Sequence, residues 1–103
     1  MFEKEEWNQK KFLEYKKQLE KDDIEVLLVD TILKPIKGAE GFTITYNPFE
    51  MKNYKEGTIF VFYCDTGKSS LERLPFYKSK LPEYKCISLR GGRAYWRSNI
   101  SIN

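Results

Sequence analysis

A cysteine near the middle of the chain stands between an apolar segment and a polar loop. The apolar residues 58–63 end at Cys64, and a short polar stretch with one glycine, Gly67, follows. The serine pair Ser69 and Ser70 then opens a segment of helical character. In such an arrangement the N–H groups of the loop and the positive end of the helix dipole favour negative charge on the thiol. They can lower a cysteine pKa from about 8.5 to about 3.5–7.5, and the thiolate is the nucleophile. The pattern therefore predicts a reactive and, because polar residues follow it, partly exposed Cys64, with a buried strand-end thiol as the alternative.

The rest of the composition limits the chemistry that this cysteine can perform. The chain has no histidine, which excludes a Cys-His hydrolase and a histidine-based metal site. Cys64 and Cys86 are 22 positions apart and form no C-x-x-C motif, so neither a structural zinc site nor thioredoxin-like redox chemistry is expected. Cys86 lies in an apolar segment and is interpreted as a core residue, with a resolving thiol as the alternative. No metal and no cofactor are predicted.

The positions of the arginines test another class of cysteine enzyme. Cysteine-dependent phosphatases bind the transferring phosphoryl group with an arginine six residues after the cysteine. That position is Ser70 here, and the first arginine after the cysteine is Arg73. The spacing therefore argues against phosphatase chemistry.

The N-terminal segment has helical character. Residues 3–21 are charged, rich in helix formers and free of Gly and Pro, which predicts a helix. Phe12, Tyr15 and Leu19 recur at helical spacing and form one narrow apolar stripe. We expect this stripe to pack on the core, with docking to a partner as the alternative.

Four segments have the character of β-strands. Residues 24–29 are nearly continuous in apolar residues, as in a buried strand, and residues 42–46 alternate apolar and hydroxyl side chains. The predicted strands cover residues 24–29, 42–46, 58–63 and 84–89, with a loop over 34–38 and a short helical turn within 48–53.

A helix is predicted after the cysteine loop. Ser69 or Ser70 is its expected N-cap, and it runs to about Lys80. Pro75 lies inside this helix, past the first turn, where it removes a hydrogen bond and kinks the axis.

The last predicted element is a short helix that holds Tyr95 and Trp96, entered through a turn at Gly91–Gly92. Strands that alternate with helical or loop crossovers give an α/β domain with a parallel sheet. Cys64 then lies at the carboxyl end of a strand, where such sheets bind their ligands.

Length and composition are those of one small globular domain, with 103 residues, 41% of them hydrophobic and 32% charged. We expect a single domain over residues 1–103, with an N-terminal helix within 1–22 and a core within 24–97. No apolar run reaches the length of a membrane span, and the first residues have no signal-peptide core. With two cysteines and no secretory signal, the expected location is the cytoplasm, without membrane association.

Several segments resemble the rhodanese family of sulfurtransferases, in the order that is typical of that family. Residues 63–70, YCDTGKSS, resemble its cysteine loop, and residues 89–96, LRGGRAYW, resemble its later Gly-Gly turn with a nearby tryptophan. Residues 26–30 resemble its first core strand, which ends in aspartate, and residues 38–44 resemble the turn into its second strand. The likeness covers residues 24–97.

The resemblance implies a small α/β domain with a parallel sheet flanked by helices. In this family's chemistry, Cys64 would take a sulfane sulfur as a persulfide and pass it to an acceptor nucleophile. The N–H groups of a substrate-binding loop would stabilise the anionic sulfur, and Lys68 would add a positive charge. That loop consists of Asp65, Thr66, Gly67, Lys68, Ser69 and Ser70.

Three positions depart from the family pattern. Rhodaneses that act on thiosulfate commonly have arginine where this chain has Asp65 and Ser69, and arginine or its equivalent where it has Thr31. A carboxylate beside the thiolate weakens the binding of a small dianion, because like charges repel. A protein persulfide, such as that of a cysteine desulfurase, is therefore expected as the sulfur donor in preference to thiosulfate.

The charge distribution leaves further partners open. From Lys68 to the end of the chain, eight basic residues stand against two acidic ones. This is either an ordinary solvated surface or a field that attracts anionic substrates, an acidic partner protein or tRNA. The lost arginines and the amphipathic N-terminal helix would also suit a catalytically inactive rhodanese-fold module that binds or regulates proteins.

Overall fold

A single sheet of five parallel strands organises residues 5–97, the part of the chain that the computed structural model describes. In chain order the elements are strand β1 (Glu6–Trp7), helix α1 (Gln9–Glu20), strand β2 (Val26–Asp30), a 3-10 turn (Glu40–Phe42), strand β3 (Thr43–Thr45), helix α2 (Pro48–Met51), strand β4 (Ile59–Tyr63), helices α3 (Lys68–Glu72) and α4 (Leu74–Lys80), and strand β5 (Lys85–Leu89). Across the sheet the strands lie in the order β1–β5–β4–β2–β3.

The four predicted strands are found as β2, β3, β4 and β5, each within two residues of the expected ends. The predicted loop over residues 34–38 has no regular structure, and the helical turn expected within 48–53 is α2. The predicted α/β fold with a parallel sheet is therefore confirmed.

Strand β4 is the middle strand of the sheet, β2 lies beside it, and every residue in both of them is buried. Such strands need apolar side chains on both faces, which explains their continuous apolar sequences. They pair in register from Val26 opposite Ile59 to Asp30 opposite Tyr63, so their carboxyl ends are level. Beyond this pair, the Thr31 hydroxyl donates to the Tyr63 carbonyl at 2.7 Å. The segment after β2 is thereby held beside Cys64.

Helices cover both faces of the sheet. One face packs against α1 through Phe12 and Leu19, as the predicted apolar stripe requires. The other face packs against α2 and α4 through Met51, Leu74 and Tyr77. Alternate residues of each central strand join the two apolar clusters, because successive side chains of a strand point to opposite faces.

The N-terminal helix begins later than predicted. Asn8 caps it by accepting a hydrogen bond from the Lys11 amide at 2.8 Å, and the first helical residue is Gln9. Before this cap, Glu6 and Trp7 form β1, which pairs with β5. The prediction of helix is therefore wrong for residues 5–8, and residues 3 and 4 lie outside the described residues. Pairing with β5 and complete burial of Trp7 outweigh the local helix propensity.

The predicted single helix from Ser69 or Ser70 to Lys80 is two helices, α3 and α4, that meet at Arg73. The N-cap of α3 is Gly67, with a φ of 93°, and neither serine is a cap. Pro75 lies in the first turn of α4, where an absent N–H costs no helical hydrogen bond. The expected kink is thus a complete break between two helices.

The predicted short helix after Gly91–Gly92 is also wrong. Residues 90–95 form turns, and no helix follows β5 within the described residues. The amides of Arg93 and Ala94 donate to the carbonyls of Cys64 and Asp65, both at 2.8 Å, and not to carbonyls of a helix. This segment therefore closes onto the cysteine loop.

The helices of residues 5–97 are short. The longest, α1, has 12 residues, whereas a membrane span takes about 20 apolar ones. No helix in this range has the length and apolar character to cross a membrane.

The backbone at Gly92 gives the first prediction. A Cβ at this position would lie 2.5 Å from the Cys64 carbonyl oxygen and 2.8 Å from the Gly67 nitrogen, and φ is +58°. We expect Gly92→Ala to lower the free energy of unfolding by at least about 2 kcal/mol, because backbone atoms cannot move aside as a flexible side chain does.

Gly41→Ala is the matched control, since a Cβ on Gly41 meets nothing within 4 Å. Urea unfolding followed by circular dichroism compares the two variants. Equal stabilities for Gly92→Ala and Gly41→Ala would contradict the proposed close contact.

Candidate active site

The Cys64 sulfur lies inside a ring of hydrogen-bond donors. Cys64 directly follows β4, and its Sγ accepts from the Gly67 amide at 3.1 Å and from the Ser70 amide at 3.3 Å. The Ser70 hydroxyl oxygen lies 3.5 Å from the same sulfur. Only 4% of the residue is exposed. The loop from Cys64 to Ser70 therefore wraps around the thiol, which is more buried than the polar residues after it suggest.

Gly67 gives this loop its shape. Its left-handed φ of 93° turns the chain directly into α3. A Cβ on Gly67 would lie 2.8 Å from the Gly91 nitrogen and 2.9 Å from the Leu89 carbonyl oxygen. The close approach of these two backbones therefore requires a glycine, and it fixes the direction of the Gly67 N–H toward the sulfur.

A second serine, from a neighbouring strand, supports the ring of donors. The Ser70 hydroxyl lies 2.7 Å from the hydroxyl of Ser88 on β5, and both residues are buried. The Ser70 hydroxyl can donate to the Gly67 carbonyl at 3.3 Å or turn its proton toward the sulfur. When Ser88 donates to Ser70, the Ser70 proton is available for a thiolate. Ser88 was not predicted, although a hydroxyl within an apolar strand was a usable signal.

The pKa of Cys64 lies below the ordinary value for a thiol. Burial by itself raises this pKa, but hydrogen bonds from the Ser70 hydroxyl and from the amides of Ser70, Gly67 and Thr66 outweigh it. Helix α3 has only five residues, so individual N–H groups contribute more than a helix dipole. The site therefore favours an anionic sulfur.

Cys86 shows the opposite balance. It lies on β5, it is buried among apolar side chains, and burial raises its pKa to about 11. The interpretation of Cys86 as a core residue is confirmed. Both cysteines are free thiols.

A small cavity gives access to Cys64. Its volume is about 230 Å³, and it lies between the segments that follow β2 and β4. The lining residues are Thr31, Ile32, Cys64, Asp65, Thr66, Ser69, Ser70, Arg73 and Tyr77. The order of the strands reverses at this point of the sheet, which is where parallel α/β sheets bind ligands.

Arg73 and Tyr77 belong to this cavity and were not predicted as site residues. Tyr77 stacks on Phe62 with ring centroids 4.2 Å apart, which fixes the ring. Burial raises the pKa of Tyr77, although the nearby charge of Arg73 and a hydrogen bond with Thr31 act against that rise. The hydroxyl therefore stays protonated at neutral pH. Arg73 is the first arginine after Cys64 and supplies the cation of the cavity lining.

The structure divides the predicted loop residues between two cavities. Asp65, Ser69 and Ser70 line the Cys64 cavity, and Thr66 lines both. Lys68 lines only a neighbouring cavity of about 790 Å³. Arg73 is therefore the cation that lines the Cys64 cavity, whereas Lys68 lines the neighbouring one.

No protein-family model, curated protein or solved structure matches the chain. Among residues 5–97, no group of three or more His, Cys, Asp and Glu side chains could hold a metal ion. The environment of the Cys64 sulfur is thus the feature from which a function can be inferred.

The opposite pKa shifts of the two cysteines give the second prediction. A lowered pKa places half-maximal alkylation of Cys64 below the ordinary pH for a thiol, whereas that of Cys86 lies near pH 11. At pH 7, iodoacetamide should therefore modify Cys64 at least about 100-fold faster than Cys86. Peptide mass spectrometry over a pH series measures both rates.

Variants of Ser70 and Ser69 test whether the Ser70 hydroxyl causes the lowered pKa of Cys64. Ser70→Ala removes a donor to the sulfur and should raise the pH of half-maximal Cys64 alkylation. Ser69→Ala, in the same helix and cavity, should leave it unchanged. A Cys64 midpoint at or above that of free cysteine, or equal midpoints in the two folded variants, would refute the assignment.

Proposed function

We propose that this protein is a rhodanese-like sulfurtransferase or persulfide carrier, in which Cys64 receives a sulfane sulfur and passes it on. The observation that carries the proposal is the convergence of the Gly67 and Ser70 amides and the Ser70 hydroxyl on one sulfur atom. Donors in this position stabilise a thiolate and, after transfer, a persulfide anion. The resemblance of residues 63–70 and 89–96 to rhodaneses supports the same chemistry.

The transfer consists of two displacements at sulfur. The Cys64 thiolate attacks the outer sulfur of a donor persulfide, a new S–S bond forms, and the donor sulfur leaves as a thiolate. An acceptor nucleophile then attacks the terminal sulfur, and Cys64 leaves as a thiolate. A low leaving-group pKa favours the second step, and the same hydrogen bonds provide it. Neither step requires an external oxidant or a cofactor.

The charge of the cavity favours a protein persulfide as the donor. Among the residues that line it, Arg73 is opposed by Asp65, so the formal charge is balanced and a dianion such as thiosulfate gains little. Two exposed apolar residues, Leu33 and Phe76, are the sequence neighbours of the lining residues Ile32 and Tyr77. Exposed apolar residues suit contact with a protein partner such as a cysteine desulfurase.

The proposal includes a cytoplasmic location. Both cysteines are free thiols, and thiols persist in the reducing cytosol. A catalytically inactive rhodanese-fold module is the alternative function, and the next experiment distinguishes the two.

The third prediction is direct loading of Cys64. Incubation with a cysteine desulfurase and cysteine should add one sulfur atom to the intact protein, and dithiothreitol should remove it. Cys86→Ser should be loaded like the parent, whereas Cys64→Ser should not be loaded. Mass spectrometry of the intact protein and of its peptides measures the addition. A parent protein that folds normally and takes no sulfur from this donor or from thiosulfate would identify the inactive module.

The fourth prediction compares two cations, Lys68 at the start of α3 and Arg73 at its C-cap. Arg73→Ala should lower kcat/KM for thiosulfate by about tenfold, which is about 1.4 kcal/mol, because it removes the cation from the Cys64 cavity. Lys68→Ala removes the same charge from the other side of the loop and should change this value by less than about twofold. Release of sulfite measures the turnover. A larger loss for Lys68→Ala than for Arg73→Ala would reverse the assignment.

A further inference from the structure

A second and larger cavity opens on the other side of the Cys64 loop. Its volume is about 790 Å³, against about 230 Å³ for the cavity at the thiol. Its walls come from the start of α1, the outer side of the cysteine loop, the end of β5 and the turns after it. Small-molecule sites commonly have volumes of about 300–1,000 Å³. The sulfur chemistry proposed above makes no use of this cavity.

Basic side chains dominate the charge of this larger cavity. Lys10, Lys68, Arg90 and Arg97 line it, against Glu6 as the acid. The ion pairs found within residues 5–97 are Lys16–Glu20 and Lys78–Glu5, so none of these four cations is neutralised by a carboxylate in that range. Gathered cations in a concave surface focus the field and attract anions.

An exposed aromatic ring adjoins the cations. Tyr95 lines the cavity and is 70% exposed. Its backbone is fixed by a hydrogen bond from its amide to the Gly91 carbonyl, at 3.2 Å. Trp96 provides a more buried part of the same wall, packed on Phe12 with ring centroids 6.1 Å apart. An exposed aromatic face beside cations is suited to stacking a nucleobase.

From this combination we infer that the larger cavity binds a nucleotide, with its phosphate on the cations and its base on Tyr95. An acidic peptide would use the cations and leave the ring without a partner. A neutral aromatic ligand would use the ring and leave four positive charges together. A phosphorylated nucleoside satisfies both features, whether it is free or part of an RNA chain.

The position of the cavity gives the bound nucleotide access to the cysteine loop without blocking the thiol. Thr66 lines both cavities, and the loop backbone separates them. An occupant of the larger cavity would therefore contact the outer side of the loop that holds the Cys64 sulfur on its inner side.

Binding is tested directly, without any sulfur-transfer assay, so its failure is distinct from a failure of the proposed enzyme. The probes are uridine monophosphate, uridine, inorganic phosphate and a fluorescein-labelled single-stranded RNA hexamer, measured by calorimetry or fluorescence anisotropy at low salt. We expect a phosphorylated probe to bind and uridine and phosphate to bind much more weakly. Binding of uridine monophosphate as tight as that of RNA assigns a free nucleotide, and binding of RNA alone assigns an RNA chain.

Matched variants locate the site. Tyr95→Ala and Arg90→Ala should each weaken binding at least about tenfold, because each removes one of the two recognition features. Phe49→Ala removes an even more exposed ring elsewhere, and Lys80→Ala removes a cation elsewhere; both should change binding by less than about twofold. The inference is overturned if no phosphorylated probe binds at millimolar concentration. It is also overturned if poly-glutamate competes as well as RNA while Tyr95→Ala binds like the parent.

Discussion

The close contact between two backbones, at Gly67 and at Gly91–Gly92, holds the cysteine loop in the shape that surrounds the Cys64 sulfur with hydrogen-bond donors. A Cβ on Gly67 would lie 2.8 Å from the Gly91 nitrogen, and one on Gly92 would lie 2.5 Å from the Cys64 carbonyl oxygen. Beside this contact, the amides of Arg93 and Ala94 donate hydrogen bonds to the carbonyls of Cys64 and Asp65. The carbonyls of Cys64 and Asp65 therefore face this turn, while the amides of Gly67 and Ser70 face the sulfur. The backbone of the cysteine loop also separates the two cavities.

Burial and hydrogen bonding compete at both cysteines, and the local backbone decides the result. Burial raises the pKa of each thiol, but only Cys64 lies at a strand end where amides and the Ser70 hydroxyl converge.

The helix after the cysteine loop divides two cations between the two cavities. Lys68 and Arg73 are five residues apart on α3 and its C-cap, so they point about 140° apart around the helix axis. One therefore lines the larger cavity, and the other lines the cavity of the thiol.

Local patterns in the sequence were sufficient to predict four of the five strands, β2 to β5, and the place of the cysteine at the end of β4. The continuous apolar residues of β2 and β4 require burial on both faces, which parallel sheets between helices provide. The change from apolar to polar residues at Cys64 marks the carboxyl end of β4, and Gly67 marks the turn into the next helix. These features depend on periodicity and on the conformational range of single residues, both of which can be read from neighbouring positions.

Contacts between segments that are distant in the sequence decided the features that local patterns did not predict. Trp7 belongs to a strand because Leu89 lies opposite it, and Ser70 turns inward because Ser88 lies within hydrogen-bond distance. The start of α3 at Lys68 was missed since Ser69 and its neighbour are good caps by local chemistry, whereas Gly67 becomes the cap through its contact with a turn more than twenty residues away. The sequence alone thus determined strands β2 to β5 and the place of the Cys64 sulfur at the end of β4. Only the tertiary structure determined which groups surround that atom, because hydrogen bonds and charges act over a few ångströms in space, irrespective of separation along the chain.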